Sequence, residues 1–164
     1  MDRPSLYDDD IVTWAEEQAA ALRALGARGE LSIALDWENV AEEIESLGKS
    51  DTREVKSLAR HILVHLIKLQ VSTQTEPRSH WQHEIAVARD TLDDVLRDSP
   101  SLKARFPALV EEQWPNAIRE AQRKLDGDRR AAAALRSLVY LKLAGSDAAK
   151  VLDPEYFPEP ADHP

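Results

Sequence analysis

Apolar residues recur along this chain at spacings of three and four, the pattern of amphipathic helices. Ile11, Trp14, Ala15, Leu22 and Leu25 form the first series, interrupted by polar Gln18. The aspartates at positions 8–10 suit its first turn, and Gly26 and Gly29 end it. After a connector of about seven residues, Asp36 is a good N-cap for a second helix. Trp37, Val40, Ala41, Ile44 and Leu47 line one face of that helix, and Gly48 is its expected left-handed terminator. A third helix opens with Asp51 and Glu54 in capping-box spacing. Its stripe of Val55, Leu58, Ala59, Ile62, Leu63, Leu66 and Leu69 is wide enough to place it centrally.

Polar residues from Gln70 to Arg78 make a loop, and Ser79-His80-Trp81-Gln82 is a capping box for a fourth helix that buries Trp81, Ile85, Ala88, Leu92, Val95 and Leu96. Ser99-Pro100 restarts the chain as cap and first helical residue. Pro107 and Pro115 interrupt the run to about Leu125, predicting a break near Phe106 and a kink near Trp114. Arg129 to Leu143 reads as a further helix and Asp147 to Leu152 as a short one. No strand-like alternation, hairpin turn, repeat or low-complexity segment occurs. The expected architecture is all-α, a single-domain helical bundle of about six to seven helices over residues 1–152. A proline-rich tail over 153–164 is expected to pack on its surface, with Tyr156 and Phe157 holding it.

Composition adds limits. The 164 residues are 43% hydrophobic and 31% charged, ordinary for a globular chain, and only 5 are glycine. With no cysteine there is no disulfide, catalytic thiol or thiolate metal site. The acidic opening, Met1 to Asp10, is not a signal peptide, and the apolar stretch Ile62 to Leu69 is far shorter than a membrane span. A soluble, cytoplasmic protein is the expectation. The net charge of −9 is unevenly placed: 5 basic and 14 acidic side chains in residues 1–54, 16 basic and 12 acidic in 55–152, and 4 acidic in 153–164. Scattered surface charge that keeps the chain soluble accounts for this most simply, and blocks of opposite sign also suit helices docking on one another or on a second copy. The densest basic run, Arg119, Arg123, Lys124, Arg129 and Arg130, is short, adjoins Asp126 and Asp128, and lacks interleaved aromatics, so nucleic-acid binding is not expected.

Several motifs carry a resemblance. Asp36-Trp37-Glu38-Asn39-Val40-Ala41-Glu42-Glu43-Ile44-Glu45-Ser46-Leu47-Gly48 resembles the hallmark of domain of unknown function family 29, a bacterial group. Leu6-Tyr7-Asp8 with Trp14 and Gln18 resembles its opening helix, and His65-Leu66-Ile67-Lys68-Leu69-Gln70 its third. Trp81, Asp98-Ser99-Pro100-Ser101-Leu102 and Leu152-Asp153-Pro154-Glu155-Tyr156-Phe157-Pro158 resemble later segments, so the likeness covers nearly the whole chain. Leu69 stands where the pattern has tryptophan, and Gly127 to Ala144 departs from its proline-rich link. The resemblance implies an all-helical fold and brings no reaction, ligand or catalytic residue.

The sharpest candidate chemistry is a metal site. His61 and His65 are four apart and stack on one helix face, as two zinc ligands can. Ile62 stands where a metalloprotease helix carries its glutamate base, so a third ligand must come from elsewhere. Glu38 and Glu45 project beside the second helix's apolar stripe and are better placed than Glu42, provided the second and third helices pack together. His80 and His83 form an alternative pair, though His83 faces away from Trp81. The competing account pairs these histidines and glutamates across helix interfaces, where they fix register. Trp14, Trp37, Trp81 and Trp114 read as core residues first. No glycine-rich phosphate loop or Gly-x-Ser-x-Gly elbow is present, and paired catalytic carboxylates would lack a nucleophile. The expectation is a non-enzymatic module that binds another protein or a second copy of itself, with no cofactor and no metal. The alternative is a metal-binding protein or metal-dependent hydrolase using His61 and His65.

Overall fold

Seven helices make up the regular structure of the described residues, and no strand occurs among them. In this computed structural model the described residues are 5–28, 35–72, 74–125, 127–138 and 147–160. The helices are α1 (Leu6–Asp9), α2 (Ile11–Ala27), α3 (Trp37–Val71), α4 (Arg78–Asp98), α5 (Pro100–Lys124), α6 (Arg129–Leu138) and α7 (Asp147–Leu152). The all-α class read from periodicity is therefore observed. No helix among the described residues is long and apolar enough to cross a membrane. The chain divides into two compact units, Met1–Val55 with Val95–Ala104, and Lys56–Asp94 with Arg105–Pro164.

In the first unit α2 buries Val12, Ala15 and Ala19, so its inner face is built from smaller residues than the expected series; Trp14 is half-buried and Leu25 is exposed. Small side chains let backbones approach closely. A Cβ added at Gly48 would stand 3.3 Å from the Val12 Cα and 3.4 Å from its carbonyl oxygen. One added at Gly26 would stand 3.0 Å from the Trp37 Cβ.

These contacts explain two departures from expectation. Gly26 does not end α2, which runs one residue further, and Gly29 lies outside the described residues. Gly48 ends nothing: Trp37–Val71 is one continuous helix, and Gly48 keeps a negative φ within it. Its role is close approach to Val12, for which a missing Cβ serves as well as it serves a turn. Asp51 consequently lies inside α3 rather than at a helix start, and the Thr52 hydroxyl donates back to the Gly48 carbonyl at 2.9 Å. Asp36 does cap α3, accepting the Asn39 N–H at 3.2 Å.

Asp10 has a larger part than a favourable first-turn charge. Its carboxylate accepts the Thr13 N–H at 3.0 Å, capping α2, and also the Ser101 N–H at 2.7 Å and hydroxyl at 2.9 Å, capping α5. Burial pushes the Asp10 carboxyl upward, but the bonds from Thr13 and Ser101 outweigh it and hold the group below its ordinary range.

In the second unit, α3 is buried at every position from Ile62 to Ile67, so the wide stripe does mark a central helix. Ile85 and Leu92 of α4, Phe106, Val110 and Ala117 of α5, and Leu135 of α6 belong to the same buried set. The expected break near Phe106 is absent, and α5 runs unbroken through Pro107 and Pro115. Both prolines are exposed, and the carbonyls they leave without an intrahelical donor belong to exposed Lys103 and Glu111, where water can replace the lost bond. α4 begins one residue ahead of Ser79, so the capping-box serine lies in the first turn. The expected extension of the sixth helix to Leu143 falls on residues 139–146, which lie outside the described residues, as do 161–164 of the tail.

Two arginines of α4 hold the tail. Arg89 donates to the carbonyls of Val151 at 2.8 Å, Lys150 at 2.9 Å and Tyr156 at 3.0 Å, and its guanidinium lies 5.2 Å from the Phe157 ring. Arg78 donates to the Leu69 carbonyl at 2.7 Å and the Pro158 carbonyl at 2.9 Å, joining the end of α3 to the tail.

Candidate functional site

His61 and His65 lie one turn apart on α3, with ring centroids 4.5 Å apart and planes tilted by 53°. His65 Nδ1 is 3.0 Å from the His61 carbonyl oxygen. A carbonyl only accepts, so Nδ1 carries the proton and donates. His61 Nε2 faces Glu84 Oε2 of α4 at 3.3 Å. His65 is 5% exposed. Its burial, together with the nearby Lys68, His61 and Lys124 charges, pulls its pKa down to about 4 against the pull of the hydrogen bond. His65 is therefore a neutral imidazole at physiological pH, fixed in one tautomer.

One turn further on, the Lys68 Nζ stands 4.3 Å from the centre of the Trp81 ring, a cation–π contact between α3 and α4. Burial, reinforced by Lys124, pulls the Lys68 ammonium down to about 8, with Glu84 acting the other way. The expected interhelical polar network is thus present on one histidine. His61 meets a carboxylate, whereas His65 satisfies itself on its own helix.

Glu38 and Glu45 do not join this group. In the first unit they share Arg23, whose Nε lies 3.0 Å from Glu38 and whose Nη2 lies 2.9 Å from Glu45, and Glu45 also meets Lys49 at 3.0 Å. Hydrogen bonds from Arg23 and then Lys49 hold the Glu45 carboxyl below its usual range. The metal hypothesis needed two packed helices, one with the glutamates and one with the histidines. Both sets lie on α3, and the nearest two, Glu45 and His61, are separated by about 24 Å of helix rise. Glu42, His80 and His83 are exposed. Among the described residues no group of three or more histidines, aspartates and glutamates could hold a metal ion.

Sequence reasoning missed Lys68 on Trp81 and the clasp at Arg89. A signal for the second was available. Arg89 falls on the stripe of Trp81, Ile85, Ala88, Leu92 and Leu96, and a cation on an apolar stripe needs buried acceptors.

With this geometry in hand, the chain can be set beside known proteins. It is similar to an alpha-helical protein of unknown function from Rhodospirillum rubrum, whose crystal structure it matches with a TM-score of 0.63 at 29% identity, over 95% of this chain and 94% of that one. No curated protein matches it. Residues 6–137, which hold α1 to α5 and nearly all of α6, match the family described as Domain of unknown function DUF29, and the chain belongs to that family.

Proposed function

We propose that this chain is a non-enzymatic helical module that acts by binding another protein or a second copy of itself. The observation that carries this reading is how the candidate catalytic groups are used. His61 is paired with Glu84, His65 is buried and neutral, and Glu38 and Glu45 share Arg23. His61, Glu38 and Glu45 are committed to ion pairs and His65 to a bond within its own helix, which leaves no free acid–base pair in this set. The first unit also presents Tyr7, Leu25, Leu35 and Leu47 exposed at 40% or more, an apolar supply for association. Sedimentation velocity of the full chain across a concentration series tests it, alongside capture from native lysate with the Leu25→Ser, Leu47→Ser double variant as control. A self-association or a retained protein that the double variant loses supports the reading. A chain that stays monomeric throughout and retains nothing contradicts it.

The metal reading keeps one favourable observation, the 4.5 Å approach of the two rings. Elemental analysis of untagged protein decides it. About one equivalent of metal, lost in His65→Ala, supports a site. Trace metal with a melting curve indifferent to chelator removes it.

A further inference from the structure

A cleft of about 600 Å³ opens in the second unit, lined among others by Trp81 of α4, Lys124 at the end of α5, Leu125 just after it, Asp128, and Arg129 and Arg130 at the start of α6. Its size is that of a small-molecule site rather than of a bare ion. Among the described residues, three cations and one carboxylate line it. Asp128 Oδ1 accepts the backbone N–H groups of Arg130 at 3.1 Å and Ala131 at 3.0 Å, so that oxygen caps α6. Among the described residues neither arginine side chain has an ion-pair partner, whereas Lys124 is paired with Glu120 at 3.0 Å. Lys68 does not line the cleft but touches a residue that does. It stacks on Trp81, which lines the cleft, and it feels the Lys124 charge. Burial first, and the Lys124 charge second, weaken its hold on its proton.

We propose that this cleft binds a small organic anion, its phosphate or carboxylate held by Arg129 and Arg130 with Lys124 beside them, and its apolar body against Trp81 and Leu125. Two adjacent guanidinium groups suit such an anion because each can present a planar pair of donors to two oxygens. Trp81 provides the reporter. Phenyl phosphate, benzoate and uncharged benzyl alcohol serve as probes, titrated into the full chain while tryptophan fluorescence and heat are followed. The expected result is saturable binding of at least one of the two anions and none of the alcohol. Preference between phenyl phosphate and benzoate identifies the head group. The R129A/R130A double variant, changed only at exposed positions, should melt normally and bind at least about tenfold more weakly. Lys124→Gln should weaken binding independently from the α5 side. Absence of saturation with both anions overturns the proposal. So does equal affinity in the correctly folded R129A/R130A protein, or equal binding of the alcohol.

Discussion

The two halves of α3 carry the same backbone and very different surroundings. From Trp37 to Val55 the helix buries Ala41, Gly48 and Val55 and leaves Leu47 exposed, and its charges pair at the surface through Arg23 and Lys49. From Ala59 to Val71 most positions are buried and none is fully exposed, a histidine is among the buried, and a half-buried lysine is stacked on tryptophan. The difference teaches where stability resides. In the first half it comes from close backbone approach across a seam of glycine and alanine. In the second it comes from large apolar volume, which is also what forces the imidazole to stay neutral.

The sharpest way to break this comparison is to remove matched volume from each half. Ile62→Ala in the buried half should cost about 2–5 kcal/mol in urea unfolding, whereas Leu47→Ala in the exposed half should stay within about 0.5 kcal/mol. Comparable losses would mean that the first half is packed far more tightly than its exposure implies.

Acid should separate the halves next. The folded pKa of His65 is about 4, below its ordinary 6.5, so the unfolded chain binds more protons between those values. Stability from this group is complete above pH 6.5 and falls as pH drops toward 4, by about 3 kcal/mol in total. His65→Gln, which has no titrating ring, should flatten that part of the pH–stability curve. A wild-type slope that persists in the variant assigns the acid sensitivity elsewhere.

The seam in the first half is probed by Gly48→Val. The added side chain enters contact distance of the Val12 backbone and should cost about 1–3 kcal/mol by overpacking. A stabilised variant would show that the seam can open without loss. The smallest effect belongs to Arg23→Ala. Its bridge to Glu38 is exposed and its bridge to Glu45 half-buried, so the melting temperature should shift slightly at low salt and less in molar salt.

The same comparison shows what a sequence makes legible. Periodicity found the helices and the central position of Ile62 to Ile67, because apolar spacing is a property of one element alone. Gly48 and Asp51 read as a stop and a start because glycine and aspartate usually punctuate helices. Only the partner backbone at Val12 reveals that the glycine is there for proximity. Pro107 misled for a related reason: whether a proline breaks a helix depends on whether water reaches the freed carbonyl. At the candidate site, the pairing of His61 with a carboxylate on a neighbouring helix was foreseeable from its place beside the stripe. Its identity as Glu84, the self-satisfied His65, and Lys68 over Trp81 depend on how α4 lies against α3, which local spacing does not encode.

Native-state hydrogen exchange along α3 tests the central claim most directly. If large buried volume governs the second half and a thin seam the first, amides from Ile62 to Leu69 should exchange only through global unfolding. Those from Val40 to Leu47 should then open locally at a free energy lower by several kcal/mol. Uniform protection along the helix, or stronger protection in its first half, would contradict the account.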